Sequence, residues 1–142
     1  MRFVIDNSVT MRWLFGDGSE ADRRYAETTL ILLQEEGKCA VVPAIWPLEV
    51  GNVITRAEAK GFLSEARSTA FLALLREMSI EVDRHSDVLA LGETLQLARR
   101  YGLSTYDASY LALALRDNIP LATNDAALRK ALKKAGGIAL SG

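Results

Sequence analysis

One cysteine, one histidine and three prolines among 142 residues narrow the kind of protein this chain can be. Cys39 has no second cysteine to pair with, so no internal disulfide staples the fold, and a reducing cytosol suits such a chain. His85 stands away from every carboxylate singled out below, so an imidazole is not at hand for chemistry there. Charges break the apolar stretches well before the roughly 18 residues of a membrane span, and the N-terminus carries no signal-peptide pattern. Charge of one sign is also lacking. The formal net charge is −1 and the pI about 5.9, so any attraction to nucleic acid or anionic lipid must be local. The basic cluster of Arg129, Lys130, Lys133 and Lys134 reads first as cations favouring a helix C-terminus. There is no internal repeat and no low-complexity linker.

What is present is ordinary globular material: 49% hydrophobic and 25% charged residues, rich in Leu and Ala, which points to a helix-dominated domain. A chain of this length buries roughly two-thirds of its unfolded surface, and a single domain over residues 1–142 is expected. Phe3-Val4-Ile5 is apolar without alternation, as in a strand buried on both faces of a parallel sheet. It ends on Asp6, at the strand edge where open α/β sheets bind ligands. Ser8 is placed to cap a helix from Val9 to about Phe15.

Ser19 and Asp22 resemble a capping box opening a helix to about Glu36. Ala40-Val41-Val42 reads as a second buried strand closed by Pro43. A helix follows from Ala44 to about Lys60, tolerating Pro47 only in its first turn, and it carries Glu49 close to its apolar stripe. Ser64 starts another helix ending near Met78, and Ile80-Glu81-Val82 is a short strand. A long helix is expected from Val88 to about Tyr101, with Val88, Leu91, Leu95 and Ala98 inward. Ser104 to Asp107 open the next helix, Leu121-Ala122-Thr123 is a short strand, and Asn124 can cap the last helix, Asp125 to about Lys134. Ile138-Ala139-Leu140 can add an edge strand. Strands alternating with helices imply βαβ units, hence an α/β fold: a three-layer α/β/α sandwich with a mainly parallel sheet of four or five short strands.

Asp6, Glu49 and Asp125 each follow a strand and can converge at one sheet edge, and Asp107 can reach it from a helix N-terminus. Each has a plainer role available: Asp107 in a capping box, Asp125 offsetting a helix dipole. Asp6 and Glu49, set among apolar neighbours, are harder to explain that way. Two carboxylates about 4 Å apart repel by roughly 4 kcal/mol at an effective dielectric near 20. Such a set must take up protons or hold a divalent cation. Oxygen-only ligation favours magnesium or manganese, and a bound metal can activate water for attack on a phosphodiester.

These segments carry a resemblance that runs essentially end to end: Val4-Ile5-Asp6-Asn7-Ser8 with Trp13, Pro43 through Glu49 to Val53, Leu103 through Asp107 to Ala114, and Leu121 to Asp125. The chain resembles the PIN domain, in its VapC-like ribonuclease toxin branch. The resemblance implies that Asp6, Glu49, Asp107 and Asp125 form an acidic metal site, with Ser8 and Thr123 or Asn124 as hydrogen-bonding support. It also implies magnesium-dependent RNA cleavage with manganese as a substitute, a cytoplasmic homodimer, and a small antitoxin partner. Arg12 and Arg56, with Lys60, are candidate RNA-phosphate contacts, Arg56 lying two turns beyond Glu49 on its face. Trp13, Phe15, Trp46, Phe62 and Phe71 read as core or subunit-interface aromatics. Two other readings compete: a non-catalytic RNA- or partner-binding module with the same fold, and a phosphoryl-transfer enzyme using Asp6 as nucleophile. The latter needs a second acid two residues on or a lysine after a late strand, and position 8 is serine.

Overall fold

The computed structural model describes residues 1–141. Its strands are β1 (Arg2–Ile5), β2 (Cys39–Val42), β3 (Ile80–Val82) and β4 (Leu121–Ala122), all parallel in the order β3-β2-β1-β4. Phe3, Val4 and Ile5 are each wholly buried, as are Ala40 to Val42. Successive strand residues face opposite sides, so burial of every one means that helices cover both faces, as the three-layer expectation required. The anticipated fifth strand reduces to a single bridge, Leu121 to Ala139, with Leu140 buried beside it.

The helices are α1 (Asn7–Phe15), α2 (Glu20–Leu33), α3 (Trp46–Ala59), α4 (Glu65–Glu77), α5 (Ser86–Leu89), α6 (Leu95–Tyr101), α7 (Thr105–Asp117) and α8 (Ala126–Lys134). Pro47 sits in the first turn of α3, where its missing N–H costs nothing, so α3 starts two residues later than expected and Glu49 stays in that first turn. Ser19, Ser64 and Ser104 cap α2, α4 and α7 as anticipated, each accepting the N–H three residues on. Two expected caps are replaced. Asp6 itself accepts the Val9 N–H and caps α1, which frees Ser8 for another task. Asp125, not Asn124, caps α8 by accepting the Leu128 N–H. Helix α2 stops at Leu33, with residues 34–37 turning through Gly37 at φ 79°.

The long helix expected from Val88 is broken. Between α5 and α6 the residues Ala90–Thr94 form a wide π turn, and Gly92 leaves helical geometry at φ −112°, ψ −105°. The extra residue of such a turn rotates what precedes it, so Val88 and Leu91 lie 78% and 85% exposed instead of inward. Among the described residues no helix is long and apolar enough to cross a membrane.

What positions the site is the strand order. The chain adds β2 and then β3 on one side of β1, and returns to place β4 on the other. The crevice at the carboxyl ends of β1 and β4 is therefore the topological switch point of the sheet. The Asp6 N–H donates to the Ala122 carbonyl at 3.2 Å, which fixes the two strand ends side by side.

A candidate acid-lined site at the switch point

Asp6, Glu49, Asp107 and Asp125 all line one cavity of about 270 Å³, together with Asn7, Ser8, Met11 and Tyr110. Four elements bring them there: the end of β1, the first turn of α3, the first turn of α7 and the residue capping α8. Asp6 is 3% exposed. Its Oδ1 accepts from the Ser8 hydroxyl at 2.6 Å and from the Val9 N–H at 3.2 Å, and its Oδ2 accepts from the Thr123 hydroxyl. Both oxygens are thus fixed by short-side-chain donors. The same hydroxyls stitch the β4 exit to β1: the Asn124 N–H donates to Ser8 Oγ at 2.9 Å and the Asp125 N–H to Thr123 Oγ1 at 2.9 Å.

Ser8 and Thr123 each donate to an oxygen of Asp6. The Asn124 side chain does not, since its amide reaches away to the Asp22 carbonyl at 3.3 Å and only its backbone joins the network. Glu49 is half-buried and accepts from the Tyr110 hydroxyl at 2.5 Å. Tyr110 lies three residues beyond Asp107 on α7 and so shares its face. It went unnoticed in sequence because an aromatic within Leu-Ala repeats looks like core, and at 1% exposure it is core too. Asn7 was also overlooked. Its Oδ1 is buried with no hydrogen-bond partner among the described residues.

Electrostatics single out these same groups. Burial pushes the Asp6 carboxyl up from 3.8 to about 6, with its hydrogen bonds opposing and the Asp107 charge adding to the rise. Burial also raises Glu49, against the Tyr110 hydrogen bond and with help from Asp107. Asp107 is raised by burial and by the Asp125 charge, with Ser104 opposing. Burial and the Glu49 contact hold the Tyr110 phenol protonated far above the usual range, so it serves only as a donor. Asp107 is the common neighbour, adding to the strain on both Asp6 and Glu49. No cation answers these charges: the ion pairs of the described residues lie elsewhere.

The donor set suits a hard divalent cation, being four carboxylates and an unpartnered amide oxygen with no nitrogen or sulfur ligand. Among the described residues, however, no three acidic, histidine or cysteine side chains draw together tightly enough to form a ligand cluster. The four carboxylates line one cavity without drawing into such a cluster.

Two smaller predictions arise here. Thr123→Val removes the donor to Asp6 and strands the Asp125 N–H, so chemical denaturation should show a loss of about 1–3 kcal/mol. Tyr110→Phe deletes only the hydroxyl that orients Glu49. Stability should change by no more than about 1.5 kcal/mol, while metal affinity, read by calorimetry, should fall about 10–100-fold, the usual effect of losing a group that orients a ligand.

A parallel α/β fold with an acid-lined pocket at its switch point is the class that fold and site define. A family model of the PIN domain matches residues 3–134, and the chain belongs to that family. No curated protein matches the chain. Among solved structures, the protein PAE2754 from Pyrobaculum aerophilum is similar at 22% identity and TM-score 0.65, covering 92% of this chain and 87% of that one. A toxin–antitoxin complex from Klebsiella pneumoniae is similar at 20% identity and TM-score 0.60, covering 96% and 95%. VapBC2 from Rickettsia felis, bound to a DNA fragment from its promoter, is similar at 14% identity and TM-score 0.63, covering 99% and 98%. At these identities the likeness is one of fold.

Proposed function

We propose that this chain is a magnesium-dependent endoribonuclease of the VapC-like kind, the toxin of a cytoplasmic toxin–antitoxin pair, folded as one domain over residues 1–142. The observation that carries the reading is the gathering of Asp6, Glu49, Asp107 and Asp125 on one cavity, none of them in an ion pair among the described residues. Membership of the PIN family and the fold shared with toxin–antitoxin proteins support it. These four acids would hold the cation, magnesium or manganese, which when bound supplies counter-charge and lowers the pKa of coordinated water for attack on an RNA phosphodiester. The chain's own work is positioning. Ser8 and Thr123 lock both oxygens of Asp6, Tyr110 aims Glu49, and Asp107 completes the negative charge that a cation must match.

A homodimer is supported by apolar surface next to the site. Leu48 and Tyr106, each neighbouring a site acid in sequence and mostly exposed, both line a cavity of about 280 Å³. The exposed Val88 and Leu91 belong to the segment that contributes Ser86, Asp87, Ala90 and Thr94 to its lining. Exposed apolar patches of this sort mark association surfaces. The fold shared with proteins of toxin–antitoxin complexes supports a small antitoxin as the second partner.

One observation favours the competing reading of a non-catalytic RNA- or partner-binding module: the acids do not close into a ligand cluster by themselves. A single experiment separates the two. The purified chain, free of antitoxin, should cleave single-stranded RNA when magnesium or manganese is added and stop when a chelator is added. RNA bound but uncut across both metals would favour the module.

A further inference from the structure

Next to the acid cavity lies a second concavity of about 650 Å³, and Met11 is common to the walls of both. Three cations line it: Arg12 from α1, and Arg56 and Lys60 from α3. The single acid on its wall, Asp17, is already engaged by Arg12 at 3.0 Å. Arg56 and Lys60 make no ion pair among the described residues, which leaves two uncompensated positive charges on a chain whose net charge is −1. Glu58, the acid between them in sequence, turns away to accept from the Ser68 hydroxyl at 2.6 Å.

Their placement follows helical spacing. Glu49, Val53, Arg56 and Lys60 stand at i, i+4, i+7 and i+11, a single stripe along α3. At 1.5 Å per residue it carries the cations about 10 and 16 Å from Glu49 along the axis. At the end of the stripe is Phe62, 74% exposed and on the same wall. It was expected to be core or interface, and it is not core. Its backbone is fixed, because Gly61 turns at φ 77° while the Phe62 N–H donates to Ala57 O and the Gly61 N–H to Glu58 O. That is the hydrogen-bond pair of a Schellman helix end. A ring whose backbone is held while most of its surface meets water is suited to stacking.

We propose that this groove is a track for single-stranded RNA leading from the acid cavity, with Arg56 and Lys60 holding two backbone phosphates and Phe62 stacking one flanking base. It rests on the nuclease reading for its substrate. Charge complementarity selects a polyanion, and the exposed ring selects an unpaired strand, since a base must leave its duplex partners to stack on a side chain. Specificity at the flanking nucleotide then comes from stacking strength and not from base-edge hydrogen bonds.

The test uses the full chain, a short fluorescent single-stranded RNA, and chelator in the binding buffer so that nothing is cut. Arg56→Gln combined with Lys60→Gln should weaken binding at least tenfold and lower the slope of log affinity against log salt by about 1.4, which is two phosphate contacts on a single strand. Phe62→Ala should weaken binding about tenfold at every salt concentration with the slope unchanged, and Phe62→Trp should restore it. Annealing the RNA to its complement should abolish the dependence on Phe62. With manganese in place of the chelator, the wild type should cleave the same RNA. If the wild type cleaves but the variants bind RNA as it does, the track is wrong and the nuclease reading stands. Failure of the wild type itself to cleave would strike that reading instead, while the chelator-stage binding still judges the groove. Loss of a co-expressed protein partner with RNA binding intact would make the groove a protein interface and overturn the proposal.

Discussion

Replacing Asp107 with asparagine should reduce metal-dependent RNA cleavage by about a thousandfold or more. A cation acting as Lewis acid contributes several kcal/mol to a phosphodiester transition state, and about 4 kcal/mol corresponds to that factor. Asp107 is the most informative acid to change because its charge adds to the rise of both Asp6 and Glu49. It is also the least entangled structurally. Its side chain enters no ion pair of the described residues, and its backbone N–H keeps the Ser104 cap at 3.0 Å whatever the side chain. Folding should therefore survive with little change in Tm while single-turnover cleavage collapses. Cleavage within tenfold of wild type would remove Asp107 from the chemistry.

The second large effect is on stability and is worked out from Asp6. Its carboxyl titrates near 6 in the folded chain against 3.8 for the unfolded. Between those values the folded state holds more protons than the unfolded state, so stability falls as pH rises through the window, and the full cost remains above it. The shift corresponds to about 3 kcal/mol. Glu49 and Asp107 are moved in the same direction and steepen the trend. Other carboxylates contribute to the pH profile, so the quantity to follow is the difference between wild type and Asp6→Asn in chelator. Denaturant unfolding should show wild type losing about 2.4 kcal/mol relative to the variant between about pH 4 and about pH 7.5. Manganese at about 100 times its dissociation constant should return about 2.7 kcal/mol to wild type and much less to the variant. A flat difference across that range would mean that Asp6 is not held under strain.

The reason Asp6 was visible in sequence is physical. An apolar strand with no alternation states its own burial, and a carboxylate that ends it is conspicuous. The strand alternation likewise implied the parallel sheet, and the acids following strands implied a common edge. The strand order β3-β2-β1-β4 was not legible, because pairing depends on long-range packing that no local pattern encodes. Nor was the exchange of roles at α1, where Asp6 both caps the helix and lines the pocket while Ser8 supports it; a cap and a ligand have the same residue type. Tyr110 was hidden by doing two jobs, core packing with its ring and hydrogen bonding with its hydroxyl. Its spacing of three from Asp107 was the available signal. Val88 and Leu91 fit an unbroken helical stripe in sequence, but the wide turn at Gly92 is enough to move them to the surface.

The hydrogen bonding of Asp6 also bears on the phosphoryl-transfer alternative. A carboxylate whose two oxygens accept from Ser8, Val9 and Thr123 has most of its roughly four acceptor sites held by donors, which suits an oriented ligand with one site left for a cation better than a nucleophile.

The central claim is that four carboxylates from four elements form one divalent-cation site. Anomalous diffraction from a manganese-soaked crystal of the chain without antitoxin tests it most directly. The account predicts a manganese peak inside the cavity of Asp6, Glu49, Asp107 and Asp125, with carboxylate oxygens at about 2.1 Å, near the distance small hard cations demand. A cavity without manganese at saturating metal, or a peak held by residues elsewhere, would contradict it.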